Sequence, residues 1–222
     1  MATIKLDNSL KTIVTDRLRS AIIAGVHKPG ERLVEQTIAD ELGISRGPVR
    51  EAFLHLQQEG LIQMNPRRGC VVTPLSPTQA AEIYVLRGHL ESLAVRLARP
   101  HWTPEDPGRL AALLDRMGGL GPEDWERAIA LDREFHHTIV DRSKCEPVIQ
   151  MYRSIDGKVA ACFMTVKHHL PLPPQLMASR HEKLAEALTD GDFWRAEFLA
   201  AEHWADTAAR FRALRLPHFE EG

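Results

Sequence analysis

The sequence predicts a mainly α-helical protein with an N-terminal winged helix-turn-helix domain and a C-terminal all-α bundle. Three observations support this prediction. Residues 35–60 read as a helix, a tight turn and a second helix, and the segment after Gly60 reads as a two-stranded wing. From Thr78 onward, apolar residues recur at helical spacing between breaks at proline or glycine. We therefore place the two domains at 1–75 and 76–222.

The helix-turn-helix segment contains the clearest local signals. Gly43 is the expected left-handed end of its first helix, and Ser45 is expected to cap the second helix through its hydroxyl. Pro48 falls in the first turn of that second helix, where an amide hydrogen has no partner within the helix. Arg46 and Arg50 open the outer face, one turn apart. Because the front of such a helix enters the major groove, both are predicted DNA contacts, although a solvated surface face is the alternative.

The flanking segments complete a small DNA-binding domain. An amphipathic helix is predicted over 8–25, and strands over 61–64 and 70–73 form the wing. Arginine side chains on a wing can reach phosphate or the minor groove. The wing tip and the link before the motif supply three further predicted phosphate contacts, which are Arg67, Arg68 and Arg32.

The composition is that of a soluble globular protein, with 44% hydrophobic and 26% charged residues among 222. The first residues lack the apolar run of a signal peptide, and no stretch approaches the roughly 20 apolar residues that cross a bilayer. The three cysteines form no CxxC pair, so we expect reduced thiols in a cytoplasmic protein without a membrane partner. Residues 1–75 hold ten basic and eight acidic residues, against eighteen and twenty-two in the remainder. This small asymmetry suits a protein that contacts phosphate at one end.

The C-terminal half contains a candidate metal site. Asp132 and His136 lie four residues apart on one predicted helix, beside an apolar stripe that faces the interior. His181 and His203 fall on two later helices, and imidazole with carboxylate suits zinc, nickel, iron or manganese. The residues alone leave this open, because such a pair among eleven histidines is more often a surface pair. The six helices predicted here lie near 78–99, 104–117, 122–142, 146–169, 175–190 and 192–215.

The first 75 residues resemble the GntR family of bacterial transcription regulators. The resemblance rests on KPGERL at 28–33, ADELGISRGPVREA at 39–52 and EGLI at 59–62, before a PRRG wing. It implies a dimer that binds a palindromic operator, with Ser45 and Gly47 among the residues that contact DNA. Gly47 departs from the family, which usually has threonine there, so the corresponding hydroxyl contact does not carry over.

The second half resembles the FCD domain, the helical effector domain of the FadR-type subgroup. The residues that carry this resemblance are VLRGHLE at 85–91, LDREFH at 131–136, RHEKLAEAL at 180–188, GD at 191–192 and EH at 202–203. The chain departs from the family at 143–146, where SKCE stands in place of the usual Ser-Gly-Asn.

The FCD resemblance implies a ligand set for the metal. In metal-containing members, the aspartate and histidine of one helix and one histidine from each of the last two helices bind the ion. The matching residues here are Asp132, His136, His181 and His203, most readily for zinc and otherwise for nickel, manganese or iron. A small carboxylate effector would complete the coordination. Arg87 is a candidate second anchor through fork-like pairing with that carboxylate, and its alternative partner is Glu91 one turn on.

We therefore expect a metabolite-responsive transcription regulator, in this family most often a repressor, and not an enzyme. A homodimer held through the helical domain would present two recognition helices to a palindromic operator. Two alternatives remain at this point. The metal could be purely structural, or the chain could be a metal-dependent hydrolase, since an open His/Asp site can activate water. The absence of an obvious general base beside the ligands argues against the hydrolase.

Overall fold

Helices make up most of this computed structural model, which describes residues 3–166 and 173–214. The elements in chain order are α1 (Thr3–Ile23), α2 (Glu35–Leu42), α3 (Arg46–Gln58), β1 (Ile62–Asn65), β2 (Gly69–Val72), α4 (Pro77–Ala98), a 3-10 helix (Arg99–His101), α5 (Asp106–Gly118), α6 (Trp125–Arg142), α7 (Glu146–Val166), α8 (Pro174–Thr189) and α9 (Phe193–Ala213). The predicted mainly α fold with an N-terminal wing is confirmed. The ends of the helices predicted over 146–169 and 192–215 lie outside the described residues. Within the described ranges, no helix is long and apolar enough to span a bilayer.

The N-terminal part packs its helices around one apolar core. Val14, Leu18 and Ile22 of α1 belong to the same buried cluster as Val49 and Leu56 of α3. Spacings of four residues in α1 and seven in α3 place each set on one face of its helix. This packing fixes α3, so the opposite face of α3 stays available to solvent.

The wing is an antiparallel pair in which Asn65 of β1 stands opposite Gly69 of β2. The side-chain oxygen of Asn65 accepts hydrogen bonds from the backbone N–H groups of Arg67 and Arg68. This local turn fixes the backbone that carries both arginines. An isolated bridge adds Arg32 beside β2. Both strands lie within one residue of their predicted positions.

The hydroxyl cap predicted for α3 is wrong, although Ser45 occupies the N-cap position. The Ser45 backbone is extended, but its side chain makes no capping hydrogen bond within the described helix. The third residue of α3 is Pro48, which has no N–H to donate to the serine oxygen. Gly43 adopts the predicted left-handed conformation after α2, with φ of 66°.

A short junction connects the wing to the helical bundle. Ser76 caps α4, because its hydroxyl accepts from the Gln79 N–H while the Gln79 side chain accepts from the Ser76 N–H. Leu75 packs against the core of the bundle. The domain boundary at 75/76 stays a prediction.

The most extensive helix contact in the bundle joins α4 and α9. Arg96 Nη2 lies 2.8 Å from Glu197 Oε2, whereas Gly88, two turns earlier on α4, packs against Ala201 and Trp204. The two helices therefore run antiparallel. A Cβ at Gly88 would lie 3.1 Å from the Trp204 Cβ, so glycine permits this close approach.

Four large apolar side chains of α4 and α9 remain exposed to solvent. Leu86 and Leu93 of α4 are 45% and 39% exposed, and Trp194 and Phe198 of α9 are 81% and 66% exposed. The antiparallel register places Leu93 level with Phe198. We call these four residues the outer stripe.

Helix α7 contacts both parts of the chain. A Cβ added at Gly157 would lie 3.2 Å from Cδ2 of Leu61, which precedes β1. The next residue, Lys158, packs its side chain directly over Gly60. α7 also packs against α1 and α4. A movement of α7 would therefore displace the residues of the DNA-binding part that it contacts.

Candidate metal centre and DNA-binding surface

Three imidazoles and a carboxylate converge where α6, α8 and α9 meet. Ring nitrogens from His136, His181 and His203 all lie within 4.8 Å of one another. Asp132 Oδ1 is 3.2 Å from His181 Nε2 and 3.8 Å from His136 Nε2. The structure thus brings together all four residues that the sequence singled out as candidate ligands.

Two hydrogen bonds fix the orientation of the inner rings. His136 Nδ1 lies 2.6 Å from Glu91 Oε1, and His181 Nδ1 lies 2.6 Å from the backbone oxygen of Met177. A carbonyl oxygen only accepts, so Nδ1 of His181 carries the hydrogen. Burial raises the pKa of Glu91, but the neighbouring His136 outweighs burial and holds that pKa below its ordinary value. Glu91 is therefore an ionised acceptor, and Nδ1 of His136 donates to it.

The remaining nitrogens of these two rings face each other. His136 Nε2 and His181 Nε2 are 2.9 Å apart, and in neutral rings protonated at Nδ1 both atoms present a lone pair. Two facing lone pairs repel unless a proton or a metal ion lies between them. Nitrogens about 2.0–2.1 Å from an ion and at right angles are separated by about 2.9 Å. The spacing therefore fits adjacent positions of a six-coordinate ion.

Burial keeps the cluster in a protonation state that suits metal binding. It lowers the pKa of His203 well below the ordinary value, and His181 and His136 lower it further. Burial also lowers the pKa of His136, against the opposing effect of Glu91. Burial raises the pKa of Asp132, but the adjacent His181, with His136 and the Arg87 guanidinium, outweighs this and holds the pKa at about 2. At neutral pH, His136 and His203 are neutral and Asp132 is ionised.

Arg87 lies beside the cluster and is only 1% exposed. Its Nε donates to the Tyr152 hydroxyl at 2.7 Å, and its Nη2 lies 3.0 Å from Asp156 Oδ1. Its guanidinium carbon sits 4.2 Å from the ring centre of Trp204. Asp156 thus takes the place of Glu91, the partner considered from the sequence, because Glu91 accepts from Tyr152 and Trp204. The effector contact of Arg87 stays a prediction.

A small cavity opens onto the candidate ligands. Its volume is about 30 Å³, which gives room for roughly two water-sized groups. Ile129, Val159 and Phe163 supply apolar walls, and Arg87 and Arg180 also line the cavity. The site can therefore accept a small anionic group next to an ion.

Sequence reasoning missed the buried polar residues that surround the ligands. Glu91 orients His136, while Tyr152 and Asp156 hold Arg87. A signal for Glu91 was present, since it shares one helical face of α4 with Arg87 and the buried Ala94. Charged residues on a buried helix face need polar partners. That requirement could have identified Glu91, together with Arg87, as part of a buried polar site.

The recognition helix presents the predicted DNA contacts to solvent. Ser45, Arg46, Gly47 and Arg50 are all exposed at or near its start. Arg50 Nη2 lies 3.1 Å from Glu35 Oε2 at the start of α2, and this hydrogen-bonded pair raises the pKa of Arg50. Arg46 has no ion-pair partner among the described residues. The part of α3 that would enter a major groove therefore carries an available guanidinium.

The wing arginines lie exposed at its tip, as the sequence predicted for Arg67 and Arg68. Arg32 is also exposed and passes close to Gly69 of the wing. A groove lined by Arg32, Arg50 and Gly69 connects the recognition helix with the wing. The recognition helix, the groove and the wing thus form one surface with five exposed arginines, which are Arg32, Arg46, Arg50, Arg67 and Arg68.

Comparison with known protein families matches both parts of the chain. The family described as "Bacterial regulatory proteins, gntR family" matches residues 10–72, and the "FCD domain" matches residues 82–206. The chain therefore belongs to the GntR family of bacterial regulators and carries an FCD domain. It is a transcriptional regulator with a DNA-binding domain, and not an enzyme.

Individual relatives agree with this assignment. The chain is 34% identical to the HTH-type transcriptional regulator McbR of Escherichia coli (strain K12) over 149 residues, which are 65% of this chain and 67% of McbR. It is 33% identical to the uncharacterized HTH-type transcriptional regulator YdhC of Bacillus subtilis (strain 168) over 150 residues, 66% of each chain. These alignments span about two thirds of the length of each relative.

Two further comparisons extend over most of the chain. The HTH-type transcriptional repressor RspR of Escherichia coli (strain K12) is 26% identical over 200 residues, 89% of this chain and 87% of RspR. The solved structure of E. coli McbR/YncC superposes with a TM-score of 0.78 at 27% identity, and covers 91% of this chain and 97% of that one. The whole described fold is thus similar to that of a GntR-type regulator.

Proposed function

We propose that this regulator is a ligand-responsive repressor whose helical part binds a divalent metal ion and a small carboxylate. The observation that carries the proposal is the 2.9 Å approach of Nε2 atoms from His136 and His181, whose Nδ1 atoms already donate elsewhere. A cation removes the repulsion between these lone pairs. Asp132 and His203 complete the proposed ligand set, most readily for zinc and otherwise for nickel, manganese or iron.

When bound, the ion supplies a Lewis-acidic centre with open positions that attract a carboxylate oxygen. The surrounding residues do the positioning. Glu91 and the Met177 carbonyl hold the two imidazoles in a ligating orientation through their Nδ1 hydrogens. Arg87 lines the cavity and remains the predicted second anchor for the carboxylate.

The DNA contacts are assigned by exposure and position. Arg46, free of described ion pairs at the start of α3, is the proposed reader of a guanine, and Arg50 contacts base or phosphate. Ser45 and Gly47 bring the backbone of the first turn close to DNA. The remaining proposed phosphate contacts are Arg67, Arg68 and Arg32.

We further propose a homodimer that forms through the outer stripe. Isolated exposed apolar residues are ordinary, but Leu93 and Phe198 lie level on neighbouring helices, with Trp194 one turn from Phe198 and 81% exposed. A second copy is the proposed occupant, because two related helix pairs can meet around a twofold axis and pair with the two halves of a palindromic operator.

Helix α7 is the proposed route between ligand and DNA. Val159 and Phe163 of α7 line the cavity. On the same helix, Gly157 contacts Leu61 and Lys158 contacts Gly60, and both contacted residues belong to the DNA-binding part. A ligand that shifts α7 changes the position of the DNA-binding part and hence operator affinity. RspR is described as a repressor, and we propose that the present chain also represses and that its ligand relieves the repression.

The metal part of the proposal is tested with purified full-length protein. Wild type should hold close to one metal ion per chain, measured by elemental analysis, and chelation should lower its unfolding temperature. His181→Ala should lose the metal, whereas His101→Ala, at an exposed position in the 3-10 helix, should keep it. Metal-free wild type that is insensitive to chelator would overturn the metal site.

The effector part needs a second readout. Acetate should raise the unfolding temperature of the metal-loaded protein and leave the chelated protein unchanged. It should also change affinity for a duplex selected by wild type from a random library. A chelation-sensitive protein that responds to no carboxylate would make the metal purely structural and overturn the effector role.

A further inference from the structure

The ionisable side chains around the cavity balance one another before any ion binds. The three acids are Glu91, Asp132 and Asp156, and the three bases are Arg87, Arg133 and Arg180. Asp206, which pairs with Arg180 at 2.8 Å, is also paired with Arg210 at 2.9 Å, and these two charges cancel. A divalent ion therefore adds two positive charges that no described side chain at the cavity compensates.

Uncompensated charge in a largely buried site is costly, because the surroundings solvate it poorly. A neutral ligand would leave both added charges, and a monoanion would leave one. A ligand with two negative charges restores the balance. The charge of the site thus selects for a dianion.

Arg180 is the residue best placed to meet the second negative charge. Its Nη2 donates to Asp206 Oδ2 and Thr207 Oγ1 at 2.8 Å and lies 3.2 Å from the backbone oxygen of His203. No described residue accepts from its Nε or Nη1. Arg87, by contrast, donates through its Nε to Tyr152, and Asp156 at 3.0 Å pairs its charge, although its Nη2 makes no hydrogen bond among the described residues. The contacts of its own Nη2 therefore hold Arg180 in place at the cavity. Its Nε and Nη1 remain available to donate to a ligand.

The neighbourhood of Arg180 places it next to the candidate ligands. It precedes His181 in the chain, and its Nη2 contacts the backbone of His203. A ligand that places one anionic group on the ion can reach the Arg180 guanidinium with its second anionic group even if the two groups are close together. The cavity volume of about 30 Å³ also excludes a bulky molecule unless side chains move.

We propose that the ligand of this site is a small dianion, with one anionic group on the metal ion and the other on Arg180. This inference rests on the proposed metal site and adds the charge class of the ligand and the residue that reads it. A dicarboxylate and inorganic phosphate share this chemistry, and the experiment separates them. Arg180 is a specificity residue here, since it selects between monoanions and dianions.

The test compares malonate with acetate, which lacks the second carboxylate, and with inorganic phosphate. Calorimetric titration of the metal-loaded full chain should give malonate or phosphate a dissociation constant about tenfold or more below that of acetate. Arg180→Gln should remove most of that preference and change acetate binding by less than about threefold. Metal content is measured after each titration, because malonate can also extract a metal ion.

Arg210→Gln is the matched control. Arg210 shares Asp206 with Arg180 but does not line the cavity, so this variant should keep the dianion preference. Arg180→Lys provides a second variant if Arg180→Gln fails to fold, and it should weaken the preference because lysine lacks the fork of donors.

Two results would overturn the inference while the proposed metal site stands. The first is equal affinity of wild type for acetate, malonate and phosphate with metal retained. The second is a dianion preference that is as large in Arg180→Gln or Arg180→Lys as in wild type. Wild type that binds no metal contradicts the proposed function itself, so the two failures are distinguishable.

Discussion

Gly157→Ala tests the contact between the helical bundle and the DNA-binding part. The added Cβ would lie 3.2 Å from Cδ2 of Leu61 and 3.3 Å from its Cδ1 and Cγ. Carbon atoms prefer separations of about 3.5–4.0 Å, so Leu61 must move by a few tenths of an ångström. Leu61 is only 2% exposed and therefore has little free space to move into.

The expected magnitude combines two opposing effects. Overpacking of this kind typically costs about 1–3 kcal/mol, whereas alanine in a helix gains up to about 1 kcal/mol over glycine. The variant should therefore lose about 0–2 kcal/mol of unfolding free energy. Leu61→Ala alone should lose roughly 2–5 kcal/mol, because it removes a buried side chain.

A double-mutant cycle isolates the contact, with unfolding free energies measured by chemical denaturation. Leu61→Ala should cost less in the Gly157→Ala background, with a coupling energy of about 1 kcal/mol or more, because the truncated side chain no longer meets the new Cβ. Gly108→Ala is the matched control, since a Cβ at that position in α5 meets nothing within 4 Å. Energies that add to within about 0.3 kcal/mol would refute the contact between Gly157 and Leu61.

Further predictions concern DNA, assembly and metal. Arg46→Ala should weaken binding to a selected operator and relax preference at one base pair by about 1–3 kcal/mol, and an unchanged footprint would remove Arg46 from the reading set. Arg67→Ala should weaken binding evenly across sequences and reduce the salt slope by about one, which a salt titration measures; a slope like that of wild type would exclude a phosphate contact. Leu93→Asp should shift the chain from dimer to monomer in sedimentation, and a retained dimer would place the interface elsewhere. His203→Ala should lower the metal content of the full-length chain, measured by elemental analysis; full metal content would show that the ligand set is wrong.

The helices and the wing could be predicted because their signals are local. Apolar spacing marks the buried face of each helix, and Gly43 ends α2 in the left-handed conformation that the sequence favours. The hydroxyl cap predicted for α3 was wrong, because the prediction considered only the identity of Ser45 and not the residues that would donate to it. Pro48, three residues later, removes one of the two N–H groups that could donate to the serine oxygen.

The candidate metal site could be predicted only in part. Asp132 and His136 share a face because they are four residues apart, which is a local fact. His181 was assigned with them through the family resemblance, since its helix comes much later in the chain. The partner of Arg87 was not predictable, because Asp156 reaches it only through the packing of α7 against α4. Local spacing identifies candidates, whereas tertiary packing decides their partners.

In the proposed complex, DNA must compete with Glu35 for Arg50, because the two side chains form an ion pair in the protein alone. An isolated phosphate offers Arg50 the same kind of partner that Glu35 already provides, so exchange between the two gains little. A guanine edge offers two acceptors in one plane and matches the fork of the guanidinium. We therefore expect Glu35 to weaken contact with non-specific DNA more than contact with a guanine, and so to favour discrimination between sequences.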